Sequence, residues 1–209
     1  MERQLILQSP NSSQSPRPAL FLDRDGVLIE ERHYLQDPDK VSLELGAIGL
    51  LKAAFLANWP VVIITNQSGI ARGFFGWDGY EAVTRRMLEL ISNPSHISAI
   101  YANGYGPEAT DASWRKPSPI MLYKAAEDIN LDLSSSLLVG DRLSDLVAGA
   151  RAGLATVMHV LTGHGEEERP VVESRRSATN FFLGEQHQPE LLLLSTLAEF
   201  PFHRLKPQA

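Results

Sequence analysis

Apolar residues fall along the chain in short solid runs, separated by longer segments with a helical repeat. Five runs, at residues 19–22, 61–64, 97–101, 136–139 and 155–160, show little alternation. That is the pattern of strands buried on both faces. Residues 180–183 are a sixth candidate strand. Between the runs, residues 46–57 set Ile48, Leu51, Ala54 and Phe55 at helical spacing. Residues 79–91 do the same with Tyr80, Val83, Met87 and Ile91, behind Asp78 as N-cap. Ser118-Pro119 supplies a cap residue and then proline at a first helical position, opening a helix to about Ile129. Residues 143–152 and 190–199 complete the predicted helices. Strands alternating with helices predict an α/β fold with a parallel sheet covered on both faces. The charge-rich stretch 165–176 reads as a solvated loop or a surface helix. Residues 8–18 are polar and rich in proline, so residues 1–18 are expected to be a flexible leader and 19–209 a single domain.

Composition narrows the function classes. Nineteen Lys and Arg against 25 Asp and Glu leave a net charge of −6. That balance argues against nucleic-acid or anionic-membrane binding as the main activity. The chain has no cysteine, which removes disulfides, thiolate zinc sites and a cysteine nucleophile. No apolar run is long enough to span a bilayer or to form a signal-peptide core, and a cytoplasmic location is expected.

Ligands of open α/β sheets bind at the carboxyl ends of the strands. Those ends here carry Asp23-Arg24-Asp25-Gly26, Thr65-Asn66-Gln67-Ser68-Gly69 and Gly140-Asp141-Arg142, with Arg115-Lys116 before the helix opened by Ser118. A single Asp after a strand is more often a cap or turn former than a catalyst. Asp23 is a stronger candidate because it directly follows Phe21-Leu22, and a carboxylate at the edge of the core needs partners. Asp25 and Asp141 bring like charges to the same rim, which calls for a hard cation such as Mg²⁺. Lys116 and the Gly69-bounded loop offer positive charge and backbone N–H groups suited to a phosphate.

Together these motifs resemble the haloacid dehalogenase superfamily of phosphohydrolases. The carrying residues are Asp23-Arg24-Asp25-Gly26-Val27, Thr65, Lys116, and Gly140-Asp141 with Asp145. Within it, residues 21–26, 65–73 and 115–117 are similar to the D,D-heptose 1,7-bisphosphate phosphatase and histidinol-phosphatase branch. The resemblance implies a Rossmann-like three-layer fold around a parallel sheet. It implies Asp23 as nucleophile forming an aspartyl-phosphate, and Asp25 as acid and then base. Thr65 and Lys116 would hold the phosphoryl oxygens. Mg²⁺ would be held by Asp23, the backbone carbonyl of Asp25, and Asp141. Glu31, Arg32, His33 and Tyr34 would fall in a substrate-contacting flap, with His33 either an exposed flap residue or a ligand. Asn66, Gln67, Ser68, Arg115 and Arg142 join Glu31 and Tyr34 as candidate substrate contacts; Arg142 stands where relatives often carry Lys. His159 and His164 are read as structural or surface residues.

The chain departs from that branch in one place. Many relatives carry a zinc site of three cysteines and a histidine in the loop before the Arg-Lys-Pro motif. Residues 102–114 contain neither residue type, so the protein is expected to hold no zinc and Trp114 is expected to pack the loop down. The intervals from Asp23 to Thr65 and from Thr65 to Lys116 leave no room for a large cap domain. The expected enzyme is a monomeric phosphatase of a small phosphorylated sugar, a heptose bisphosphate cut at C7. Histidinol phosphate is the alternative substrate, and a catalytically silent interaction domain is the alternative of another class.

Overall fold

The computed structural model describes residues 1–8, 15–93, 96–110 and 112–208. Residues 9–14 of the expected leader lie outside them. Strands β1 (Glu2–Ile6), β2 (Leu20–Leu22), β3 (Val61–Asn66), β4 (Ala99–Asn103), β5 (Leu137–Gly140), β6 (Thr156–His159) and β7 (Glu190–Leu193) form one sheet in the order β1-β4-β3-β2-β5-β6-β7. All neighbours run parallel except β1, which pairs antiparallel with β4. Side chains alternate across the sheet. Leu20, Leu22, Ile63 and Val139 join one core, while Phe21, Val62, Ile64 and Leu138 join the other. Helices α1 (Ala47–Leu56) and α3 (Trp77–Ile91) pack on the first face. Helices α4 (Ile120–Ile129), α5 (Leu143–Arg151) and α6 (Gly165–Ser174) pack on the second. A short helix, α2 (Ser68–Ala71), follows β3.

Chain order explains where a ligand can sit. From β2 the chain steps outward through β3 and β4, then crosses back to β5 and steps the other way through β6 and β7. The crevice at this reversal opens at the carboxyl ends of β2, β3 and β5. No described helix is long and apolar enough to cross a membrane.

Several expectations are corrected. Residues 2–6 belong to the sheet as an edge strand, not to a leader. Residues 180–183 make only isolated bridges, to Arg176 and Glu190. The outer parallel strand is instead β7, within the segment read as a helix over 190–199; the rest of that segment holds one 3-10 turn, Leu197–Glu199. Its four consecutive leucines carry no periodicity, and the open edge of β6 claims them, pairing Met158 with Leu192. Asp78 sits inside the first turn of α3, with Gly76 at the N-cap. Ser118 lies one residue before the N-cap of α4, which is Pro119. The charge-rich stretch forms a surface helix, α6.

Candidate active site at the carboxyl ends of the central strands

Asp23 follows β2 directly and is only 8% exposed. Its Oδ1 accepts the backbone N–H of Arg24 at 2.7 Å, and its Oδ2 pairs with Lys116 Nζ at 3.0 Å. The buried Lys116 ammonium also pairs with Asp145 Oδ1 at 2.7 Å and donates to the carbonyl of Ile64 at 2.9 Å. Asn66, at the end of β3, holds the lysine backbone from both sides. Its Oδ1 accepts the Lys116 N–H and its Nδ2 donates to the Lys116 carbonyl, each at 3.1 Å. The amide of Asn66 is therefore engaged in positioning Lys116, although the residue also lines the cavity.

Asp25 is oriented by donors on both oxygens. Arg24 donates to them through Nε at 3.0 Å and its terminal nitrogen at 3.1 Å. Gln67 Nε2 donates to Asp25 Oδ2 at 2.8 Å and to Thr65 Oγ1 at 2.8 Å, and Thr65 reaches the same carboxylate oxygen at 3.4 Å. Arg24 is itself 1% exposed, donates to Thr84 and lies over the Tyr80 ring. Sequence reasoning missed this residue as a site component. It explains how two aspartates so close in sequence stay together: a bidentate guanidinium, not only a metal, offsets Asp25.

The structure places Asp141 beside this pair. Asp23, Asp141 and Asp145 each present a carboxylate oxygen within 4.8 Å of the others. Asp141 Oδ2 accepts the His164 N–H at 2.7 Å, while its buried Oδ1 has no partner. Gly26 permits the close approach: at φ +78°, a Cβ there would lie 2.6 Å from Asp141 Oδ2. His159, buried under Asp141, accepts from Arg169 at Nδ1 and so donates through Nε2 to the Asp141 carbonyl at 2.9 Å. Burial and the adjacent Arg169 push its pKa down to about 4.

Charge bookkeeping tests whether a cation fits. Asp23, Asp25, Asp141 and Asp145 face Arg24 and Lys116, leaving two negative charges without a partner. Burial, with the charges of Asp145 and Asp25, raises Asp23 to about 7 even with Lys116 alongside. Burial and the charges of Asp145 and Asp23 raise Asp141 to about 8. An orphaned buried oxygen and an excess of two charges match a hard divalent ion. Asp145 Oδ1 likewise lacks a hydrogen-bond partner, but it lies 2.7 Å from Lys116 Nζ and its Oδ2 accepts the Arg142 N–H at 3.0 Å, so Asp141 is the better placed of the two.

A cavity of about 970 Å³ opens above Asp23 and Asp25, and Glu31, His33, Tyr34, Ser68, Arg115 and Arg142 lie on its wall. The flap docks through Tyr34, whose hydroxyl accepts from Arg72 at 2.9 Å and whose ring packs 4.5 Å from that of Phe74. Arg115 donates to the Tyr105 carbonyl at 3.2 Å, and Trp114 packs on the core near Tyr101. The described part of the loop is thus ordered by Asn103, Tyr105, Arg115 and Trp114. His164, read from sequence as a structural or surface residue, also borders the cavity.

Comparison with known proteins agrees with this geometry. The HAD-hydrolase-like family profile matches residues 113–181. A D-glycero-beta-D-manno-heptose-1,7-bisphosphate 7-phosphatase of Mesorhizobium japonicum is 46% identical over 145 residues, covering 66% of this chain and 67% of that protein. A HAD-like phosphatase structure from Mesorhizobium loti superposes with a TM-score of 0.76 at 32% identity, covering 98% of this chain and 92% of that one. The D,D-heptose 1,7-bisphosphate phosphatase of B. bronchiseptica, solved with magnesium and phosphate, gives a TM-score of 0.71 at 29% identity over 87% and 94% of the two chains. The chain belongs to the heptose bisphosphate phosphatase branch of the haloacid dehalogenase-like hydrolases.

Proposed function

We propose that this phosphatase removes the C7 phosphate of D-glycero-D-manno-heptose 1,7-bisphosphate through an aspartyl-phosphate on Asp23. The observation that carries the reading is the carboxylate of Asp23, oriented by Lys116 and the Arg24 N–H at the floor of a cavity wide enough for a phosphorylated sugar. Asp23 attacks phosphorus and the sugar oxygen leaves with the phosphorus–oxygen electron pair, taking a proton from Asp25. Asp25, then a carboxylate held by Arg24 and Gln67, accepts a proton from the water that cleaves the aspartyl-phosphate. Thr65 and Lys116 face the transferring oxygens. Asp23, Asp141 and the backbone carbonyl of Asp25 would hold Mg²⁺, which would supply charge stabilisation to the phosphoryl group.

Substrate choice is carried by the cavity wall. Arg72, Arg115 and Arg142 stand close enough that the other two guanidiniums help to lower the pKa of the half-buried Arg115, after burial itself. Three guanidiniums around an open polar site suit a second, non-reacting phosphate. The test is turnover of heptose 1,7-bisphosphate, fructose 1,6-bisphosphate and histidinol phosphate by wild type and Arg115→Ala. Wild type should prefer the heptose. Losing one charge-assisted contact of about 1.5–3 kcal/mol should lower kcat/KM for bisphosphates roughly 10- to 150-fold, and less for histidinol phosphate. A wild-type preference for histidinol phosphate would overturn the substrate assignment.

A further inference from the structure

We propose that Glu31, His33 and His164 form a second metal site, distinct from the aspartate cluster and selective for a borderline transition ion of the Zn²⁺ class. Each residue presents a ligand atom within 4.8 Å of the other two. Glu31 Oε1 lies 3.8 Å from His33 Nδ1, and the two imidazole rings stand 5.9 Å apart at 31°. His164 is distant in sequence from the other two; the flap brings Glu31 and His33 against the loop between β6 and α6, which carries it. Glu167 Oε2 lies 3.7 Å from His164 Nδ1.

Donor type separates this cluster from the aspartates. Two imidazoles and one carboxylate suit Zn²⁺ and similar ions, whereas Mg²⁺ favours an all-oxygen, octahedral shell. Three protein ligands leave a fourth position, and all three border the cavity above Asp23. Closing the cluster around an ion requires ligand shifts of the flap, whose His33 side chain is 84% exposed and meets no packing barrier. The bound ion then ties the flap to a loop whose His164 N–H already holds Asp141 Oδ2. Zn²⁺ would thus hold the flap down over the substrate cavity, a lock that the chain's own sequence separates from the cysteine-free loop 102–114.

The experiment is calorimetric titration of Zn²⁺ into full-length protein saturated with Mg²⁺, with Co²⁺ absorption as a second readout. The expected result is one Zn²⁺ per chain, a distorted tetrahedral Co²⁺ spectrum, and slower hydrogen exchange of residues 31–35. His33→Ala and His164→Gln should each weaken binding about tenfold or more. Asp23→Asn, which alters the aspartate cluster at a residue paired with Lys116 and not with His164, should leave it intact. Wild-type affinity in the two histidine variants would overturn the proposal, as would loss of Zn²⁺ binding in Asp23→Asn, which would place the ion at the aspartates. Because binding is read without turnover, failure here leaves the phosphatase assignment standing.

Discussion

The reactivity proposed for Asp23 rests on where it sits: the last strand residue, Leu22, is fully buried, and the next side chain emerges at the cavity floor. Replacing it with asparagine removes the proposed nucleophile and one partner of Lys116, which keeps Asp145 and the Ile64 carbonyl. Asp23→Asn should therefore fold and turn over at less than about a hundredth of the wild-type rate. Steady-state assays with circular dichroism check both halves; substantial turnover by the variant would remove Asp23 from its assigned role. His159 makes a separate claim on acid stability. An unfolded histidine titrates near about pH 6.5, while the folded one is pushed down to about 4. Between those values the unfolded state binds a proton that the folded state refuses. The contribution of neutral His159 is thus complete above about pH 6.5 and lost as the pH falls toward 4. Urea melts of wild type and His159→Gln should show a stability gap that narrows on acidification; a gap constant from about pH 8 to 5 would contradict this.

Among the elements, β1 has the least visible sequence signal. Every residue of Glu2–Ile6 is exposed, and its hold on the sheet comes from the backbone ladder to β4. Arg3 over the Trp77 ring and the Met1 carbonyl, which accepts the Gly104 N–H, add to that hold. Without β1, β4 becomes a bare edge, which is a template for pairing with another chain. Deleting residues 1–7 should leave kcat near its wild-type value, lower the melting temperature by several degrees, and promote self-association detectable by analytical ultracentrifugation. An unchanged melting temperature with a monomeric species would show that β1 protects nothing. The central strands and α1, α3, α4 and α5 were legible because solid apolar runs and the 3.6-residue repeat coincide with burial. β1 and β7 were not, since neither an exposed edge strand nor an unbroken leucine run has a diagnostic period.

For the whole molecule, folding gathers more carboxylate than cation at one rim. Mg²⁺ at roughly 100-fold its dissociation constant should stabilise the native state by about 2.7 kcal/mol. For a chain of this size that is on the order of 5–11 °C in melting temperature. Asp141→Asn removes a like charge, so its metal-free form should melt above the metal-free wild type and gain little from Mg²⁺. Scanning calorimetry with and without chelator decides this. An equal Mg²⁺ shift in the variant would remove Asp141 from the ligand set.

The linear chain by itself determined the α/β class, the position of the central strands, and the four motifs whose residues meet at the rim. It could do so because strand burial, helical periodicity and strand-end polarity are local properties, written in adjacent residues. The pairing of charges was decided only by the tertiary structure. That Lys116 is shared between Asp23 and Asp145, and that Asn66 clamps the lysine backbone, depends on strands brought side by side. The meeting of Glu31 and His33 with His164 is of the same kind, since no sequence period relates them. Electrostatic partners are chosen by distance in space, and that distance is set by how the sheet reverses its order at β2.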